Sequence, residues 1–290
     1  MNKLVFCLVA LGAIAASSCA CAQQSDHPKV LQVTREFLKP YKGGELHDKT
    51  ESAFVSAMAA AHWPTHYLAV NSLSGKSRAL YLTTYDTFDA WEKDTAAIMK
   101  NAALSSTLEK ASHADGELLD AVDQSVFYFD EDLSYKPSND IGHMRFLEAT
   151  VFHVKPGHGK DFADLIKLAI ETHKKAGTSS HWSMWELAYG GDGDAYLMLS
   201  GDKNMAEIDT GFGESKAFHE ALGEDGARKF HELAEKSIAS LDTELFAINP
   251  KQSYARDEWV QADPKFWKPA PMMKAVHAPA PAPVGQRPPQ

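Results

Sequence analysis

The chain has 290 residues, 44% of them hydrophobic, with a formal net charge of −10. That length can bury one or two sizeable cores. The negative balance repels phosphate backbones, so no nucleic-acid partner is expected.

Residues 1–22 read as a signal peptide. Lys3 supplies the positive start, and "LVFCLVALGAIAA" is an apolar run too short to span a bilayer. "ACA" at Ala20–Ala22 fits a small-x-small cleavage pattern, leaving Gln23 as the new N-terminus. Polar residues start at Gln23, against a retained anchor, and neither Cys19 nor Cys21 has a leucine three positions upstream, against lipidation. All three cysteines, Cys7, Cys19 and Cys21, fall in or beside this segment. The mature chain then has no disulfide, and cysteine nucleophiles and cysteine-held metals are excluded. No later run is apolar enough to cross a membrane, and the expected location is the periplasm or the exterior.

A first unit covers 29–135. "VLQVTREFL" mixes β-branched and aromatic residues and reads as a strand ended by Pro40, Gly43 and Gly44. "ELHDKTESAFVSAMAAA" follows as a helix with Phe54, Val55 and Met58 at helical spacing. "HYLAVNSLSG" and "SRALYLTTY" form a hairpin, "TFDAWEKDTAAIMKNAALSSTLEKA" a second helix, and "SVFYFDED" a closing strand.

A second unit covers 144–254. "MRFLEATVFHV" is a strand, and "GKDFADLIKLAIETHKKAG" an amphipathic helix with Phe162, Leu165, Ile166 and Ala169 on one face. "SHWSMWELAYG" and "DAYLMLS" make the hairpin, Met205–Leu241 is helical with a break near Gly223 and Gly226, and "TELFAINP" closes the unit. Residues 255–290 form an extension with three aromatics and a Pro/Ala-rich, disordered tail.

Both units read β-α-β-β-α-β. Lys39-Pro40 recurs 116 residues later at Lys155-Pro156, and "GKSRALYL" from Gly75 faces "GDGDAYLM" from Gly191 at the same offset. "LDAVDQSVFYFDEDLSY" and "IASLDTELFAINPKQSY" have equal length and both end in Ser-Tyr. Such ordered matches point to a tandem duplication. The element order resembles the ferredoxin-like fold, and two such units of this size resemble the dimeric α/β-barrel superfamily. The resemblance implies an α+β fold, with the two units pairing as a pseudo-dimeric barrel. A monomer is expected, since the second unit covers the face that a separate subunit would cover.

The hairpin strands carry the richest chemistry. In "HWSMWELAY" alternation places His181, Ser183 and Trp185 on one face and Trp182, Met184 and Glu186 on the other. "HWPTHYLAV" places His66 and Tyr67 at the matching point of the first unit, and His153 lies on the first strand of the second. His66, Tyr67, His153, His181, Trp182 and Trp185 are therefore the candidate pocket residues, read either as packed rings with histidines at the rim or as a pocket with aromatic walls. A buried Glu148 or Glu186 beside His153 or His181 would add an acid or base.

No metal site is predicted. Pro64 breaks the helical alignment of His62 and His66, and the other histidines are scattered. Phosphate-binding loops, dinucleotide fingerprints and nucleophile elbows are absent. The expectation is an exported, soluble protein of unassigned activity whose role is structural or the binding of a small apolar or aromatic molecule in an aromatic-lined cavity, with no catalytic residue and no cofactor assigned. Relatives implied by the resemblance include cofactor-independent oxygenases, haem-degrading enzymes, haem peroxidases and chlorite-degrading enzymes. The alternative is therefore a cofactor-independent or haem-linked oxygenase, with His153, His181 and His219 as the available imidazoles.

Overall fold

A computed structural model describes residues 27–268. Residues 1–26, which include the three cysteines and the segment read as a signal peptide, and the tail beyond residue 268 lie outside the described residues. The first half runs β1 (Val30–Leu38), α1 (Glu45–Ala60), β2 (Tyr67–Ser72), β3 (Arg78–Tyr85), α2 (Phe88–Lys100), α3 (Ala102–Gly116) and β4 (Leu119–Tyr135). The second runs β5 (Phe146–Val154), α4 (Gly159–Ala176), β6 (Trp182–Tyr189), β7 (Asp194–Asp202), α5 (Met205–Gly213), α6 (Ser215–Ser237) and β8 (Ile238–Ile248). Two short helices follow, α7 (Asp257–Ala262) and α8 (Pro264–Trp267).

Each half makes a four-stranded antiparallel sheet, ordered β4-β1-β3-β2 in the first and β8-β5-β7-β6 in the second. The sheets join at two seams. β2 pairs with β8 through Val70↔Ile248, and β4 pairs with β6 through Phe127↔Leu187 and Phe129↔Trp185. The eight strands thereby close a barrel with no free edge. This is the α+β arrangement of two ferredoxin-like units forming a pseudo-dimeric α/β barrel.

Period-2 alternation fills the barrel. Leu31 and Val33 of β1, Leu80 of β3, Phe127 of β4, Trp185 of β6 and Phe246 of β8 share one buried cluster. The alternate positions face the helices: Trp182, Met184, Phe162 and Ile166 make a second cluster between the β6 side and α4. The extension packs back on the barrel. Trp259 and Trp267 are buried with the barrel residues, and the Trp267 indole N–H donates to the Gly142 carbonyl at 2.9 Å. Arg145 stacks on Phe266 at 3.8 Å and pairs with Asp263.

Three elements differ from the sequence reading. The single helix expected over Thr87–Ala111 is two, because Asn101 leaves helical geometry and its side chain caps α3, accepting from Leu104 N–H at 3.1 Å. The helix expected to reach Leu241 ends at Ser237, and Ile238–Leu241 instead ladder onto β5. Backbone pairing overrides a helix-compatible sequence there. In α1 the half-buried Phe54, Val55 and Met58 share the inner stripe with His47 and Glu51, which are the more deeply buried residues.

Candidate functional site

In the second half, α4, α5 and α6 do not close fully on the sheet. A cavity of about 920 Å³ lies between them and the outer face of β5 and β7. β5 supplies it by alternation: Glu148 and Phe152 face the helices, while Leu147, Ala149 and Val151 face the barrel. Leu165 and Ile166 of α4, Met198 of β7 and Phe212 of α5 extend the apolar wall. The amphipathic stripe of α4 places its residues there, and Gly177 ends that helix in the left-handed conformation. The bend of α6 at Gly223 separates its two segments.

One end of the cavity is polar. Asp202 closes β7, is buried, and has a carboxylate oxygen, Oδ2, with no hydrogen-bond partner. Burial raises the Asp202 carboxyl above its ordinary range, with His181 opposing and Glu207 adding to the rise. Burial and the neighbouring Asp202 likewise raise Glu148. The His181 ring lies 2.9 Å from the Gly201 carbonyl through Nε2 and 3.2 Å from the Ser179 carbonyl through Nδ1.

His173 of α4 forms another part of the wall. Its Nδ1 lies 2.7 Å from Thr178 Oγ1, and its ring packs on Phe218 at 4.6 Å and on Trp182 at 5.5 Å. Burial lowers its pKa, so the imidazole is neutral at pH 7. The donors and acceptors of the cavity are thus a neutral imidazole, two carboxyls with raised pKa and a few hydroxyls, set around an apolar body.

Of the six residues singled out from the sequence, the structure brings His181 and Trp182 to this cavity. β6 begins at Trp182, so His181 precedes the strand and escapes the alternation that was to align it with Trp185. Trp185 lies inside the barrel, 5.1 Å from Phe129, with its N–H donating to Ser183 Oγ at 2.9 Å. His153 sits on the barrel side of β5, paired with Ala195 and Ser240, and does not line the cavity. His66 and Tyr67 belong to the first half, where His66 stacks on Tyr254 at 4.3 Å and Tyr67 meets Tyr81 at 6.0 Å. One pocket holding all six is not formed.

The sequence reading missed His173 and Asp202. His173 was hidden in the polar last turn of a helix, and Asp202 at the end of a strand. It also passed over Glu36, His47, Glu51 and Asp115, which converge beneath α1 and α3. The spacing of His47 and Glu51, one helical turn apart, was the available signal.

No family model matches the chain, and no curated protein matches it in sequence. Solved structures do match in shape. An anthrone oxidase-like protein aligns over 77% of this chain and 92% of its own, at 11% identity and a TM-score of 0.51. A monooxygenase-like protein from Fusobacterium nucleatum aligns over 77% and 93%, at 16% identity and a TM-score of 0.49. Chlorite dismutase from Candidatus Nitrospira defluvii, in complex with imidazole, aligns over 81% and 95%, at 9% identity and a TM-score of 0.45. At these identities the first likeness shows a shared fold, that of the dimeric α/β-barrel proteins, and nothing of activity.

Proposed function

We propose that the protein binds a small apolar or aromatic molecule carrying one hydrogen-bond-donating group. The site is the cavity of the second half. The observation that carries this is the pairing of an apolar cavity with a buried carboxylate oxygen, Asp202 Oδ2, that lacks a partner. A buried acceptor left unpaired costs free energy that a donor on the ligand recovers. The volume falls within the range of drug-sized sites, roughly 300–1,000 Å³.

The test compares 2-naphthol with its methyl ether by quenching of tryptophan fluorescence. The naphthol should bind about tenfold tighter, since a hydrogen bond to a charged group is worth about 1.5–3 kcal/mol. In Asp202→Ala that margin should vanish. Ala169→Trp, which fills the cavity, should abolish binding of both. Equal binding of both probes in the unaltered protein would sink the assignment of Asp202, and no binding would sink the site.

A second reading, a haem-linked oxygenase, is favoured by the neutral imidazole of His173 on the cavity wall. His173 would be the residue to hold a haem iron there. The acidic end formed by Glu148 and Asp202 does not fit haem propionates, which places this reading second. Haemin added to the same protein separates the two: a Soret band that disappears in His173→Ala would reverse the order.

We also propose that the matching halves arose by tandem duplication and that the mature, exported chain starts at Gln23 as a monomer. The shared element order, the two closed seams and the signal-like N-terminus support this. Native mass spectrometry of the exported protein should show one chain beginning at Gln23. A stable dimer, or a lipid adduct on Cys19 or Cys21, would contradict it.

A further inference from the structure

A second polar site lies on the outer face of the first half's sheet, under α1 and α3. Glu36 comes from β1, His47 and Glu51 from successive turns of α1, and Asp115 from the last turn of α3. His47, Glu51 and Asp115 are 0%, 3% and 2% exposed. One ligand atom from each of the four lies within 4.8 Å of all the others. His47 Nε2 is 3.2 Å from Glu36 Oε2 and 3.4 Å from Asp115 Oδ1.

Three carboxyls in so small a buried volume need positive charge. Among the described residues, no lysine or arginine forms an ion pair with any of the three. Glu51 Oε1 has no hydrogen-bond partner. Tyr81, itself buried, sets its hydroxyl beside Glu51 without reaching hydrogen-bond geometry. Glu51 Oε1 and the Tyr81 hydroxyl are thus both buried without a partner beside the cluster.

We propose that Glu36, His47, Glu51 and Asp115 form a binding site for one divalent first-row transition-metal ion. One imidazole and three carboxylates suit Mn²⁺, Fe²⁺ or Zn²⁺, which accept mixed nitrogen and oxygen donors. An ion about 2.1 Å from each donor holds them no more than about 4.2 Å apart, so the four contract by roughly half an ångström. The surroundings hold the ligands in place. Thr50 Oγ1 donates to Asp115 Oδ1 at 2.6 Å. Gln252, fully buried, sets its amide 3.3 Å from His47 Nδ1 and has an unpartnered Oε1. Gln252 Nε2 also donates to Asp48 Oδ1 at 3.1 Å, so turning the amide to accept a proton from His47 Nδ1, as an ion on His47 Nε2 requires, gives up that bond. Asp48 keeps its bonds to Asn249 and Lys251 after that turn. The site is separate from the cavity of the second half, and its occupancy does not depend on the small-molecule reading.

Equilibrium dialysis of chelator-treated full-length protein against Mn²⁺ or Zn²⁺ alone, with metal counted by mass spectrometry, tests this. One ion per chain is expected for at least one of the two. Glu51→Gln keeps the shape of the side chain and should weaken uptake at least tenfold while far-ultraviolet circular dichroism is unchanged. Asp115→Asn is the second variant, used should Glu51→Gln not fold. Metal should also raise the melting temperature of the unaltered protein and not that of the variant. Absence of saturable uptake, or uptake unaltered by the variant that folds, would overturn the site.

Discussion

Trp185→Ala is expected to destabilise the protein by about 3–5 kcal/mol, close to the full cost of removing a buried aromatic. Trp185 is 6% exposed and sits in the barrel at the β4–β6 seam, opposite Phe129. Its neighbours belong to both sheets, so they cannot collapse into the gap without loosening a seam. Its N–H bond to Ser183 is local to β6, which leaves the loss mainly one of packing. Urea unfolding measures the cost. Because Trp185 is on the barrel face and the cavity is on the helix face, affinity for 2-naphthol should be unchanged in the folded fraction. A near-neutral result, below about 1 kcal/mol, would show that the barrel interior is not close-packed there.

Gly190→Ala should cost a comparable amount for a different reason. Gly190 follows β6 with φ of 82°, and a Cβ there would lie 2.2 Å from the Gln124 carbonyl oxygen and 3.0 Å from Ser125 Cα. Those are backbone atoms of β4 and cannot swing aside. Ser125 Oγ donates to the Gly190 carbonyl at 2.5 Å, tying the same point together. Left-handed strain of about 1–2 kcal/mol adds to overpacking of about 1–3 kcal/mol. Gly193→Ala is the control, since Gly193 has φ of 66° with nothing within 4 Å of the added atom. It should pay the conformational cost alone. Equal losses from the two substitutions, read from chemical denaturation, would mean that β4 yields at the seam.

Periodicity carried the fold. Alternation in β1, β5 and β6 and the apolar stripe of α4 are local properties, and local backbone geometry turns them directly into buried and exposed faces. Boundaries were less legible. Asn101 ends a helix by a cap that a single polar residue in a long helical pattern does not announce, and Ile238–Leu241 follow the ladder with β5, a partner remote in the sequence, as in Phe152↔Leu241. Site residues were the least legible. His181 and Trp182 lay in the stretch rich in chemistry, and both reach the cavity. Trp185, three residues on, turns away because successive residues of a strand point to opposite faces. His47 and Glu51 sat in what reads as the polar start of an ordinary surface helix.

By itself the sequence determined the repeated β-α-β-β-α-β order, the class of fold and the inward face of most strands, because each depends on contacts within one or two turns of chain. Only the tertiary structure decided where the sites lie. The barrel interior is filled by side chains from both sheets. The helices of the second half leave a gap over their sheet, while those of the first close over four ionisable side chains drawn from three elements. Both outcomes depend on how far each helix layer stands from its sheet, a distance set by the summed volumes of residues remote from one another in the chain.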